Sequence, residues 1–266
     1  MDGVRADSSS GATPIISPEW NVEEARARKN RQAQGRGMAL GPFYVAQRLS
    51  QGNHTKGVAI FVRHGETAWN REGRVMGRQP VELDERGIAQ VKAGVPLARL
   101  LGPQFILTSP LRRARQTAEI IAAGLGGIEI VEDPQLEEVR YGKWEGMTYH
   151  DLVHDEDYMR YRQAPLEHRT PGGETISDVQ SRGREAVTRA LERYPGRRLL
   201  FVSHGDIIRT VLCSYMKLGL EYFHRIRVDN MSFSAIAVSG DFAEIKFFNL
   251  LSTDEVGRAF VSPFPA

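Results

Sequence analysis

Hydrophobic positions along the chain follow two patterns. Short apolar runs stand at Val58–Val62, Phe105–Leu107, Ile128–Val131 (broken by Glu129) and Leu199–Val202. Runs of this length, partly β-branched and bounded by polar residues, read as strands buried on both faces. Between them, apolar residues recur at helical spacing. Ile88, Val91, Val95 and Ala98 predict a helix from Asp84 to Leu101, which Pro96 is expected to kink or split. A second helix is predicted after Thr108-Ser109-Pro110 and through Ala122, a third over Ser177–Tyr194 and a fourth over Ile207–Met216. Two further strands, Phe233–Val238 and Ala243–Phe248, flank the turn-forming trio Ser239-Gly240-Asp241. Strands alternating with helices predict an α/β fold, a three-layer sandwich with a mostly parallel central sheet flanked by helices.

The pattern also divides the chain. Residues 1–56 are polar and read as an N-terminal extension, partly disordered, with one helix. Ser17-Pro18-Glu19 has the form of a helix start: hydroxyl N-cap, proline at N1, carboxylate near the positive dipole end. The helix after it, from Glu19 to about Gln34, is rich in Arg and Glu and has little face to bury. It reads as a solvated helix on the domain surface or as an arm contacting an anionic partner. Residues 57–252 read as one domain and 253–266 as a C-terminal tail.

Composition narrows the classes. With 266 residues, 41% hydrophobic and 26% charged, the chain has enough material for a core without disulfide or metal staples. A formal net charge of +2 gives no reason to expect nucleic acid or an acidic membrane as partner. The one cysteine, Cys213, cannot pair internally and lies in an apolar stretch, so it reads as a buried, inert thiol in a reducing compartment. No apolar run approaches the ~20 residues a membrane span requires, and the N-terminus lacks a secretory-signal profile. A cytoplasmic protein, monomer or homodimer, is the expectation.

Two of the predicted strands end alike, in Phe61-Val62-Arg63-His64-Gly65 and Phe201-Val202-Ser203-His204-Gly205. Ligands of open parallel sheets bind beyond the carboxyl ends of the strands. If these strands are neighbours, the two histidines face one another across one pocket floor.

The residues around His64, Arg63-His64-Gly65-Glu66-Thr67-Ala68-Trp69-Asn70, resemble the signature of the histidine phosphatase superfamily, which contains cofactor-dependent phosphoglycerate mutases and many small-molecule phosphatases. The resemblance continues in chain order. Thr108 to Ala118 looks like the family's second arginine motif, and Leu136 to Gly146 like its acid motif. Pro171-Gly172-Gly173-Glu174-Thr175 and Val202-Ser203-His204-Gly205 follow in place. The match runs from about Ala59 to Phe248. One departure is Gly77 to Leu83, where Pro80 and Glu82 stand in place of the family's usual aspartate and proline. The resemblance implies a phosphoglycerate mutase-like fold and a metal-independent phosphatase without a cofactor, acting on a small phosphorylated metabolite. His64 would be the nucleophile that forms a phosphohistidine, Glu138 the proton donor, and Arg113 a phosphate-binding arginine. His204 is carried over as a catalytic residue, and Arg63, Asn70 and Gly205 as phosphate contacts.

The residue types support the same chemistry independently. Phosphoryl transfer leaves the protein two tasks, positioning the group and neutralising charge on its non-bridging oxygens. The sequence has no His/Asp/Glu cluster at metal-ligand spacing, and guanidinium forks match phosphate oxygens two at a time. Arg63 and Arg113 are the candidates, with one N–H of His204 and the Asn70 amide as further donors. The imidazole nucleophile needs one unprotonated nitrogen, with the other donating to a carbonyl, which the resemblance assigns to Gly65. Glu137 and Glu138 are adjacent, and only the family register chooses Glu138. Arg112 and Arg115 read as solvated, Glu66 and Thr67 as helix-capping, Trp69 and Trp144 as packing residues, and Glu174 and Thr175 chiefly as helix-entry residues. The segment between Glu138 and Pro171 reads as a lid that positions the non-reacting part of a substrate. Two alternatives remain: a phosphoglycerate mutase, disfavoured because the mutase branch carries a longer insertion after its acid motif, and a non-catalytic member that binds a phosphorylated ligand or a protein.

Overall fold

The computed structural model describes residues 55–239 and 242–251. The predicted helix at Glu19–Gln34, the tail at 253–266 and the centre of the Gly240-Asp241 turn lie outside the described residues. The strands are β1 (Thr55–Arg63), β2 (Phe105–Thr108), β3 (Ile130–Glu132), β4 (Arg197–Ser203), β5 (Phe233–Ser239) and β6 (Phe242–Leu250). They form one sheet in the order β3-β2-β4-β1-β5-β6. The pairs β3–β2, β2–β4 and β4–β1 are parallel, while β5 runs antiparallel to both β1 and β6. The sheet is therefore mixed, with a parallel half and an antiparallel edge.

Alternation along β1 and β4 builds the layers. Ala59, Phe61, Leu199 and Phe201 face one side, where they meet Val179, Val187 and Val211 of the helices Ile176–Arg193 and Gly205–Met216. Ile60, Val62, Leu200 and Val202 face the other, against Val91, Ala98, Ala118 and Ile121 of the helices Glu85–Leu101 and Arg112–Gly124. The outcome is the expected three-layer α/β sandwich.

Two details differ from the sequence reading. The Glu85–Leu101 helix is not split at Pro96. The proline is exposed and Lys92, whose carbonyl loses its partner, is exposed too, so water can take that hydrogen bond while Val91, Gly94 and Ala98 stay packed. The third apolar run is shorter than expected and not fully buried, because β3 is the outer strand and pairs only with β2. Among the described residues, no helix is long and apolar enough to cross a membrane. Cys213 is buried, and burial pushes its thiol up to about 11.

Candidate active site

The parallel register of β1 and β4 sets Val62 opposite Val202 and Arg63 opposite Ser203. His64 N extends the pairing by donating to Ser203 O at 3.0 Å. His64 and His204 consequently leave the sheet side by side, with ring centroids 5.2 Å apart.

The His64 ring is only 1% exposed. Its Nδ1 lies 2.7 Å from Gly65 O. A carbonyl can only accept, so Nδ1 carries the proton and Nε2 presents its lone pair. Nε2 accepts from Arg113 Nε at 3.2 Å. Burial, then the Arg113 and Arg63 charges, hold the ring well below the usual histidine range, and it is neutral near pH 7. Gly65 is required sterically: a Cβ there would lie 2.7 Å from Val91 Cγ2 and 2.9 Å from Gly87 O. Two residues that the sequence did not single out fix this turn. Thr117 Oγ1 accepts from Gly65 N (3.1 Å) and donates to Arg113 O (2.7 Å), and Asn230 Nδ2 donates to His64 O at 2.9 Å.

Arg113 is fully buried on the first turn of its helix. Nη1 donates to Gln79 O at 3.0 Å and Nη2 to Gly77 O at 2.7 Å. The departing loop at 77–83 therefore supplies the carbonyls that aim this guanidinium. Burial lowers Arg113 to about 10, which leaves it charged at neutral pH. Arg63 donates through Nη1 to Val228 O at 2.8 Å, while its buried Nε has no partner among the described residues. Asn70 closes the capping box with Thr67 through Oδ1, which leaves its amide N–H groups for the cleft it lines. Gly205, first residue of its helix, lines the cleft as well.

His204 is wholly buried beside His64. Its Nε2 lies 2.8 Å from Ser109 Oγ, and Ser109 Oγ itself accepts from Leu111 N at 3.2 Å. The serine oxygen has a second lone pair as well as its proton, so it pairs with either tautomer of His204; with the proton on Nδ1, the hydroxyl donates to Nε2. That Nδ1 is buried and without a partner among the described residues. Burial, then the Arg113 charge, hold His204 well below its usual range, so it is neutral, not a cation. Two buried nitrogens without partners among the described residues, Arg63 Nε and His204 Nδ1, thus sit near the neutral imidazole. A buried unpaired N–H is costly, and Arg63 Nε, joined by His204 in its Nδ1–H tautomer, suits a bound anion.

The acid motif separates its two glutamates. Glu137 pairs with Arg78 at 2.9 Å, away from the cleft. Glu138 lines the cleft, accepting from Val139 N (3.0 Å) and Asp206 N (3.4 Å). Burial, then the nearby Asp206 carboxylate, raise the Glu138 carboxyl above its usual range. Asp206 and Arg209, which sequence reasoning missed, face the same space one helical turn apart. Arg209 Nη1 is 2.5 Å from Asp206 Oδ1, and Tyr141 donates its hydroxyl to Oδ2. A carboxylate directly after His204-Gly205, with arginine at i+3, was the available signal.

The cleft has a volume of about 320 Å³. Trp69 lines it with Arg74, Met76 and Tyr149, so Trp69 is not simply a packing residue. Trp144 is one: it is buried edge-on against Tyr158 in a small separate core with Val75, Leu152 and Tyr161. The segment between Glu138 and Pro171 carries the short helices Tyr149–Leu152 and Glu156–Gln163. Arg112 and Arg115 are exposed and paired with Glu82 and with Glu119 and Glu132. Glu174 ties Arg78 and Arg182 at 3.0 Å each, outside the cleft.

The model of the histidine phosphatase superfamily (branch 1) matches residues 59–251. The chain belongs to that superfamily. It is 35% identical over 177 residues to a probable phosphoglycerate mutase, GpmB, of Cronobacter sakazakii, covering 66% of this chain and 82% of the relative. Among solved structures, Bacillus stearothermophilus YhfR matches with a TM-score of 0.69 and 30% identity, over 74% of this chain and 98% of the other. A mycobacterial glucosyl-3-phosphoglycerate phosphatase in complex with VO3 matches with a TM-score of 0.65 and 25% identity (73% and 99%). An Entamoeba histolytica phosphoserine phosphatase in complex with 3-phosphoglyceric acid gives 0.66 and 25% (73% and 96%). The histidine phosphatase fold is thus shared with phosphatases and with relatives named as mutases.

Proposed function

We propose that this histidine phosphatase superfamily member hydrolyses a small phosphomonoester through a phosphohistidine on His64. In the first step His64 Nε2 attacks phosphorus and the ester P–O bond breaks. The departing oxygen takes the proton of the Glu138 carboxyl and leaves as an alcohol. In the second, the Glu138 carboxylate removes a proton from water, whose oxygen attacks the phosphohistidine. The P–N bond breaks, inorganic phosphate leaves, and neutral His64 and protonated Glu138 are restored. Arg63, Arg113, the His204 Nδ1–H and the Asn70 amide neutralise the non-bridging oxygens, with Gly205 at the helix start beside them.

The observation that carries this reading is the tautomer of His64: Nδ1–H spent on Gly65 O and an unprotonated Nε2 that accepts from Arg113, in a cleft also lined by Glu138. The test is rapid quenching with a 32P-labelled substrate, in which an acid-labile, base-stable label is expected on a peptide containing His64. His64→Ala is expected to abolish phosphate release. Label on any other residue overturns the reading.

The curated relatives named as probable phosphoglycerate mutases favour one second reading, return of the phosphoryl group to another hydroxyl of the bound product. Isomerisation of 3-phosphoglycerate stimulated by 2,3-bisphosphoglycerate would reveal it, whereas net phosphate release supports hydrolysis.

A further inference from the structure

Glu138 is asked to hold a proton near neutral pH in a cleft rich in positive charge. Arg113 and Arg63 both favour its ionised form, and Arg182 and Arg209 also lie within electrostatic reach. Arg182 is largely occupied, because it donates to Glu174 and to the carbonyls of Gln135, Glu137 and Glu138. The phenols of Tyr141 and Tyr161 face Glu138 from the lid, and burial holds both protonated, so neither supplies a charge. The opposing negative charge is Asp206.

The geometry at Asp206 is specific. It sits on the first turn of the Gly205–Met216 helix, 8% exposed, and its own N–H points at Glu138 Oε2 across 3.4 Å. Its two carboxylate oxygens are both engaged, Oδ1 by Arg209 and Oδ2 by the Tyr141 hydroxyl. Arg209 is in turn fixed by donating through Nε to Ile226 O at 2.8 Å. Burial alone would favour protonation of Asp206, but the Arg209 guanidinium and the Tyr141 hydroxyl outweigh it, so Asp206 stays ionised. When two carboxyl groups share one low-dielectric site, stabilising the charge of one keeps the proton on the other.

Building on the reading of Glu138 as proton donor, we propose that Asp206 is a positioning residue that reserves the proton for Glu138, with Arg209 and Tyr141 serving as its clamp. Asp206 does not itself transfer a proton. Its charge decides over what pH range Glu138 is ready to protonate a leaving oxygen.

The test compares pH profiles of kcat/KM between pH 5 and 9 for β-glycerophosphate, whose alkoxide must be protonated to leave, and for p-nitrophenyl phosphate, whose phenolate needs little help. Asp206→Asn removes the negative charge and leaves Arg209 unbalanced. The alkaline limb with β-glycerophosphate is expected to move to lower pH, with a loss of about tenfold at pH 8 and a smaller one at pH 6. Arg209→Met lets burial return a proton to Asp206 and is expected to move the same limb to lower pH, by less than Asp206→Asn because the direct pull of the guanidinium on Glu138 is lost as well. The p-nitrophenyl phosphate profile is expected to change little in shape, and in the Glu138→Gln background neither substitution should shift a limb. Equal losses for both substrates at every pH, or a limb that moves to higher pH in Arg209→Met, overturn the proposal. So does a loss in Asp206→Asn as complete as in Glu138→Gln, which would make Asp206 the proton carrier. Should Asp206→Asn not fold, the limb shift of Arg209→Met decides alone: a shift to lower pH supports the clamp, and none, or a shift to higher pH as direct action on Glu138 would give, overturns it. If Glu138→Gln keeps full activity on β-glycerophosphate, the underlying role of Glu138 has failed instead.

Discussion

Arg113 Nε donates to His64 Nε2 across 3.2 Å while the other two nitrogens of the same guanidinium hold Gln79 O and Gly77 O. One side chain thus joins the candidate nucleophile to the loop at 77–83. A single point charge cannot reproduce three directed contacts.

Arg113→Lys is therefore expected to behave almost as badly as Arg113→Gln, each losing about 10²-fold or more in kcat/KM on an aryl phosphate. The neutral variant carries a second signature. Burial still depresses His64, but the Arg113 contribution is gone, so His64 holds a proton to higher pH and the acid limb of the profile moves upward. Steady-state kinetics across pH checks both. Near-wild-type turnover in Arg113→Lys would show that charge alone suffices.

Gly65 has no room for a methyl group between Val91 and Gly87. Gly65→Ala must move the loop that carries His64 or push the Glu85–Leu101 helix outward, at a cost of about 1–3 kcal/mol. The expected outcome is a lowered Tm together with a loss of turnover exceeding that of a surface control such as Lys92→Ala. Thermal melts paired with kinetics test it, and an unchanged Tm with full activity contradicts the packing described.

Three described histidines are kept neutral chiefly by burial: His64, His204 and His224, the last lowered from 6.5 to about 4. Between these values the unfolded chain binds protons that the folded chain refuses. Stability is thus fully present above about pH 6.5 and declines as pH falls toward 4. Tm measured at pH 7.5, 6 and 4.5 is expected to fall, and less steeply in His224→Gln. A Tm that stays level over that interval is inconsistent with buried neutral imidazoles.

What the sequence made legible follows from period and proximity. The strands around His64 and His204 were readable because burial on both faces leaves an unbroken apolar signal, and the histidines stand where that signal stops. Glu138 was separable from Glu137 only by family register, since which neighbour faces Arg78 depends on packing. Asn230 could not be anticipated: it reaches His64 O from the segment before β5, 166 residues along the chain. Asp206 and Arg209 were adjacent to a recognised motif, yet their meaning depends on Tyr141 arriving from the lid. Pro96 misled because helix breaking is judged locally, whereas its unsatisfied carbonyl lies on the solvent side of a well-packed helix.

The matched register of β1 and β4 has a further consequence for how this protein tolerates change in length. Adding or deleting one residue inside either strand would slide its imidazole about 3.3 Å and turn it to the opposite side of the pleat. The rings at 64 and 204 are clocked together by Val62 and Val202 and behave as one rigid part built from two distant stretches of chain. Insertions are admissible in the connecting segments, and a successful loop graft must leave both strands frame-perfect.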